Sequence, residues 1–222
     1  MELLVALVIF TVAAAGIYQI YIAFSSSYDL QDQMNEMNQN VRIAIDKMVG
    51  EVRMAGCNPL NTGTVGTDFG IITNSTSTRL HIKMDLSTTP PDGDTTDVGE
   101  DIVFTIADLD GDGRNELTRD DVNASSGSNR ALVDNLDFLN FIYLDRNGAV
   151  VPVPITTPAD IQRIKIAVVI RTTNPDFTYT NNKTYTHQQG ATIYTYTAPG
   201  DHYRRKVLYG EVAPPNMRLL SP

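Results

Sequence analysis

The sequence predicts an α+β protein: one very long N-terminal helix packed on a mostly antiparallel β-sheet. Three observations predict it. Residues 3–24 form an unbroken apolar run, residues 25–55 carry an apolar stripe at helical spacing with a single glycine and no proline, and the chain after Pro59 breaks into short runs of alternating polarity.

The apolar run reads LLVALVIFTVAAAGIYQIYIAF, and its polar groups are Thr11, Gln19 and the hydroxyls of Tyr18 and Tyr21. At 1.5 Å per residue it makes about 33 Å of helix, enough to cross a hydrocarbon core of roughly 30 Å. A secretory signal peptide would open with a basic segment. Here Glu2 follows Met1, and no lysine or arginine precedes Arg42.

The second stretch places Leu30, Met34, Met37, Val41, Ile45, Met48 and Val52 in steps of three and four, with Ala44 and Val49 filling in. That spacing puts one apolar face on a helix. Gly56 and Asn58-Pro59 supply the stop signal. The whole helix would then run about 55 residues, or roughly 80 Å. A helix apolar all round in its first half and striped in its second has two kinds of neighbour: lipid or similar helices for the first, its own domain for the second. The expected organisation is a transmembrane or filament-core helix at 1–24, an amphipathic continuation at 25–56 and a β-rich domain at 57–222. A plain membrane anchor with a helical stalk fits the same pattern.

Within the β-rich part, residues 79–84, 101–107, 136–144, 161–171 and 205–212 alternate as half-buried strands do. Residues 61–66, 88–99 and 125–129 are loops by composition. The stretch 172–197, with Tyr179, Tyr185, Tyr194 and Tyr196 among threonines, reads as a protruding hairpin with an adhesive tyrosine surface or as a solvated pair of strands.

Charge narrows the function classes. The net charge is -9, and residues 92–121 hold eleven acidic side chains against Arg114 and Arg119, so this one segment accounts for the whole net charge. Such a segment repels phosphate backbones, and no basic stripe offsets it, so nucleic acid is not an expected partner. Cys57 is the single cysteine, which leaves no intramolecular disulfide and no cysteine-rich metal site. His81, His187 and His202 stand far apart, with no nucleophile elbow or paired-histidine motif around them. No enzymatic activity is expected.

One loop carries possible chemistry. Asp108, Asp110 and Asp112 alternate, Gly111 allows a tight turn, and Glu116 adds a fourth acid. These carboxylates, with the backbone carbonyl of Arg114, could wrap a calcium ion in oxygen ligands. The twelfth position from Asp108 is Arg119 rather than the bidentate glutamate of an EF-hand. Asp and Gly also dominate plain hairpin turns, so a bare turn between residues 103–106 and 116–118 is the competing reading.

The opening Glu2-Leu3-Leu4-Val5-Ala6-Leu7-Val8-Ile9-Phe10 resembles the start of mature type IV pilins and type II secretion pseudopilins. Residues 46–59, with Arg53 and Ala55-Gly56 closing the helix, resemble the PilW-type minor pilins, as do residues 134–145, 161–166 and Tyr203-Arg204-Arg205-Lys206-Val207. The resemblance implies that Glu2 is the glutamate such subunits use to pair with an N-terminal amine during docking into a filament. It implies a minor pilin or pseudopilin that assembles or initiates a type IV pilus or secretion pseudopilus, with a filament-tip adhesin or a major filament subunit as alternatives. Its partners would be other pilins through the N-terminal helix. The subunit would sit in the bacterial inner membrane with its domain in the periplasm, then on a surface filament. Family members carry a leader ending in glycine and a short aromatic-led segment before this glutamate, so the reading frame is expected to continue upstream of Met1.

Overall fold

The apolar run and the stripe behind it form one continuous helix, α1 (Glu2–Met54). The structure is a computed structural model that describes residues 1–86, 91–124 and 129–219. The expected loops at 88–99 and 125–129 lie partly outside the described residues, and residues 91–99 carry no strand. The stripe behaves as its spacing demands: Met37, Val41, Ala44, Ile45, Met48 and Val52 are buried, while Ile43 on the outer face stays exposed. The helix stops two residues before Gly56. Ala55 turns to extended backbone (φ -52, ψ 131), and the Gly56 amide donates to the Lys83 carbonyl at 3.0 Å instead of continuing the helix. The sheet therefore takes over a backbone donor and ends the helix.

The strands are β1 (Gly70–Ile71), β2 (Leu80–Lys83), β3 (Asp101–Ala107), β4 (Asn115–Asp121), β5 (Arg130–Leu144), β6 (Arg163–Arg171), β7 (Thr184–Gln189), β8 (Thr192–Thr197) and β9 (Arg205–Val212), followed by a short α2 (Pro215–Leu219). Among the described residues seven of them form one antiparallel sheet in the order β1-β2-β3-β4-β5-β6-β9, and β7 and β8 form a separate two-stranded sheet. The chain thus meanders through six strands, leaves the sheet to build the hairpin, and returns to pair β9 with β6.

Alternation sorts the sheet into two faces. Leu80, Ile82, Ile102, Phe104, Leu139, Phe141, Tyr143, Ile164, Ile166 and Val168 share one core with the α1 stripe. On the opposite face Phe138 packs against Tyr196, Asn140 meets His187 and Tyr209 reaches Thr186, so the β7-β8 hairpin forms a third layer. Gly210 lets α1 approach closely, because a Cβ there would stand 3.0 Å from the Ile45 Cγ2. At the far end, the Asn216 side-chain amide donates to the Met54 carbonyl at 3.3 Å, satisfying one acceptor of the helix terminus.

Candidate functional site

The first candidate surface is the leading half of α1. Every residue from 1 to 29 is exposed, and Leu30 is the first to be partly covered by the domain. The helix is long and apolar enough to cross a membrane, with a mean hydropathy of 2.3 over its most apolar window, none of which is buried against the rest of the chain. Glu2 lies in its first turn, and no other charged side chain follows until Asp29. A carboxylate there faces the positive end of the helix dipole, so its position is electrostatically favoured by the helix itself. The surface offers side-chain packing to other apolar helices or to lipid tails, with one carboxylate at its tip.

The second candidate is the turn between β3 and β4. Carboxylate oxygens of Asp108, Asp110, Asp112 and Glu116 all lie within 4.8 Å of one another. Ligands on opposite sides of a calcium ion, each 2.3–2.6 Å away, are about 4.6–5.2 Å apart, so the four oxygens fit inside one coordination shell. The backbone prepares this convergence. Asp108 accepts the Gly111 and Gly113 amides at 2.8 and 3.0 Å, and both glycines hold positive φ (77° and 80°) that most residues resist. Asp110 accepts the Asp112 amide at 3.1 Å, Asp112 accepts the Arg114 amide at 2.8 Å, and Glu116 accepts the Leu109 amide at 2.7 Å. An ionised carboxylate has about four lone-pair sites, so the two amides on Asp108 and the single amides on the others leave capacity for a metal.

Glu116 differs from the three aspartates. It is buried while they are exposed, because as a strand residue opposite Ala107 it lies beneath the turn. Burial pushes its carboxyl above the usual range, the Leu109 amide opposes that, and the charges of Asp110, Asp108 and Asp112 push it up further. A cation among them would reverse the last of these effects. The Arg114 guanidinium turns to the Asn135 side-chain oxygen at 2.9 Å and the Thr173 carbonyl at 3.4 Å, with its Nε 3.7 Å from Asp112.

The tyrosine-rich stretch corrects one expectation. Tyr179, Tyr185, Tyr194 and Tyr196 are all partly buried, and the exposed face of the hairpin is instead Thr184, Thr186, Gln188, Ile193, Thr195 and Thr197. The reason is the register, which points Tyr185 and Tyr196 together toward Phe138 on the sheet. An adhesive tyrosine surface is therefore not what this hairpin displays.

Several polar clusters were not visible in the sequence, and each fastens elements together. Arg119 on β4 grips Glu51 of α1 with contacts of 2.9 and 3.0 Å, and Lys47 approaches the same carboxylate at 2.8 Å. Arg205, fully buried as a side chain, is held between Asp137 and Asp201, while Arg204 holds Asp176. On the open face Asp101 lies between His81 at 2.5 Å and Lys83 at 3.2 Å. Burial raises the Asp101 carboxyl, but its bonds to His81 and Lys83 outweigh that and hold it below the ordinary range. These contacts join residues as far apart as Glu51 and Arg119, and no local pattern announces them.

No family model, curated protein or solved structure matches the chain.

Proposed function

We propose that the chain is a membrane-anchored, filament-forming subunit of the type IV pilin kind, a minor pilin or a type II secretion pseudopilin. The carrying observation is the division of α1: its leading half is apolar and wholly exposed, while its trailing half is built into the core of its own domain. Such a helix needs partners outside the chain, and lipid before assembly and neighbouring subunits' helices after it are the two environments that suit it. Glu2 is the one charge on that surface, and its proposed role is to pair with an N-terminal amine on a neighbouring subunit. The anchor would sit in the bacterial inner membrane with the domain on the periplasmic side until the subunit enters a surface filament.

The experiment is Glu2→Ala, followed by membrane fractionation and by counting the variant in sheared filaments. Membrane insertion should persist while filament incorporation falls. Normal incorporation would remove the proposed role of Glu2.

The turn at 108–116 is proposed to bind calcium, with Asp108, Asp110, Asp112 and Glu116 as carboxylate ligands and the Arg114 carbonyl as a further oxygen. Its contribution would be structural, clamping β3 to β4. A second functional reading, a binding module at a filament tip, now rests on the flat threonine face of β7-β8, where Thr184 and Thr197 hydroxyls already bond across the strands at 3.0 Å. Thr186→Lys with Thr195→Lys should then abolish surface attachment while filament number stays unchanged.

A further inference from the structure

We propose that Phe177 is a second membrane contact, a ring carried by the globular domain that enters the lipid headgroup region beside the helix. The proposal rests on the membrane reading of α1 and extends it to the domain.

The placement follows from the helix. Its apolar run ends at Phe24, and the loop at 174–178 meets the helix in the third turn beyond it, where the Asn174 amide donates to the Gln33 side-chain oxygen at 3.0 Å. Between them lies an open cleft of about 820 Å³, with Ser26, Asp29, Leu30 and Asp32 on its helix wall and Pro175 and Phe177 on its loop wall. Ser26 is two residues, or about 3 Å, past the end of the apolar run. The cleft runs on to Gln33, about 14 Å past that end, and a headgroup layer extends roughly 5–8 Å beyond the hydrocarbon core, so the end of the cleft nearer Phe24 lies at its depth.

The ring is exposed by design of the loop, not by looseness. Phe177 is 78% exposed although both neighbours are tied down. Asp176 accepts the Thr178 amide and hydroxyl at 3.0 and 2.6 Å and the Arg204 guanidinium at 2.7 and 2.9 Å, and its own amide donates to the His202 carbonyl at 2.7 Å. One edge of the ring rests against His202, with centroids 5.5 Å apart. The Asp176-Arg204 pair also neutralises charge beside the ring, which lowers the cost of bringing it to an interface.

The helix carries its own aromatic residues at the same level. Tyr21, Phe24 and Tyr28 are exposed and recur in steps of three and four at the end of the apolar run. Tyrosine concentrates at membrane-water interfaces because its ring is apolar and its hydroxyl polar, and phenylalanine is among the residues that interfacial segments bury into the headgroup-acyl boundary. Phe177 extends that belt sideways from the helix, so the domain would rest on the bilayer at two points and its tilt would be restricted.

The absence of tryptophan makes the test direct. Full-length Phe177→Trp and, separately, full-length Phe10→Trp are reconstituted into phosphatidylcholine vesicles brominated either near the headgroup or deep in the acyl chains. Phe10→Trp should be quenched by the deep bromines, which reports insertion of the helix. Phe177→Trp should lose about half of its emission in vesicles brominated near the headgroup and little in the deep set, as for a ring about 5–10 Å into the boundary. Quenching of Phe10→Trp with none of Phe177→Trp overturns the proposal and leaves the membrane anchor standing. A blue-shifted Phe177→Trp that bromolipid does not quench means that protein covers the ring, and also overturns it. Failure of Phe10→Trp to quench removes the membrane reading and the proposal together.

Discussion

Replacing Gly210 with Val should force α1 off the sheet at one place. A Cβ at this position meets Ile45 Cγ2 at 3.0 Å and has Val49 Cγ2 and Ile166 Cβ at 3.8 Å, so the two methyl groups of valine have no free volume on the helix side. Overpacking of this kind costs about 1–3 kcal/mol. Gly210 lies opposite Ile166 in the β6-β9 ladder and its φ is not positive, so backbone strain does not confuse the result. Ile45→Ala alone should cost about 2–5 kcal/mol, since Ile45 is buried among core residues. The two changes compensate in volume, so the double variant should be more stable than the sum of the singles by about 0.5–3 kcal/mol. Thermal unfolding in detergent, followed by near-ultraviolet circular dichroism of the tyrosines, reads the domain rather than the helix. For a domain of this size each kcal/mol moves Tm by about 2–4 °C. Strict additivity of the two substitutions would refute the close approach of α1 to β9.

Calcium should raise Tm if the turn binds it, because an ion bound only to the native state stabilises by RT ln(1 + [L]/Kd), about 2.7 kcal/mol at a hundredfold excess over Kd. Asp110→Ala with Asp112→Ala should abolish that shift, and a Tm unchanged by millimolar calcium in the unaltered protein would reduce the loop to a turn. His187 provides a pH test. Burial, then the charge of Lys165, lowers its pKa from 6.5 to about 4. The Asn140 amide donates to the Ser77 carbonyl at 3.3 Å and so turns its oxygen to His187 Nδ1 at 2.6 Å, which fixes the neutral ring as an Nδ1-H donor. As pH falls below 6.5 the unfolded chain takes a proton that the folded one refuses, so stability should drop by about 1.4 kcal/mol per pH unit until pH 4 and no further from this group. His187→Gln should flatten that part of the profile, and an identical slope in both proteins would contradict it.

Much of the fold was legible because it is written in local periodicity. The helical stripe, the apolar run and the strands at 101–107 and 205–212 depend on each residue's own polarity and on its neighbours, which a single chain displays. Strand β4 was harder. In NELTRDD only Leu117 is a large apolar residue, and the segment is a strand because β3 and β5 offer partners on both sides. The same pairing lengthens β5 upstream to Arg130, where the sequence suggested a start at Leu136. Residues 163–171 form the next strand, while Pro158–Asp160 winds a short 3-10 turn just before it.

Local composition and spacing are enough to show that an apolar helix leads into an amphipathic one, that a β-rich domain follows, and that four acids crowd one turn. Where α1 ends, which side of the β7-β8 hairpin is hidden and which charges meet depend on the folded arrangement. Gly56 leaves the helix because Lys83 accepts its amide, the tyrosines turn inward because Phe138 lies beneath them, and Arg205 is buried because Asp137 and Asp201 enclose it. Each outcome depends on groups brought together from distant positions, and periodicity carries no information about which distant residue will arrive.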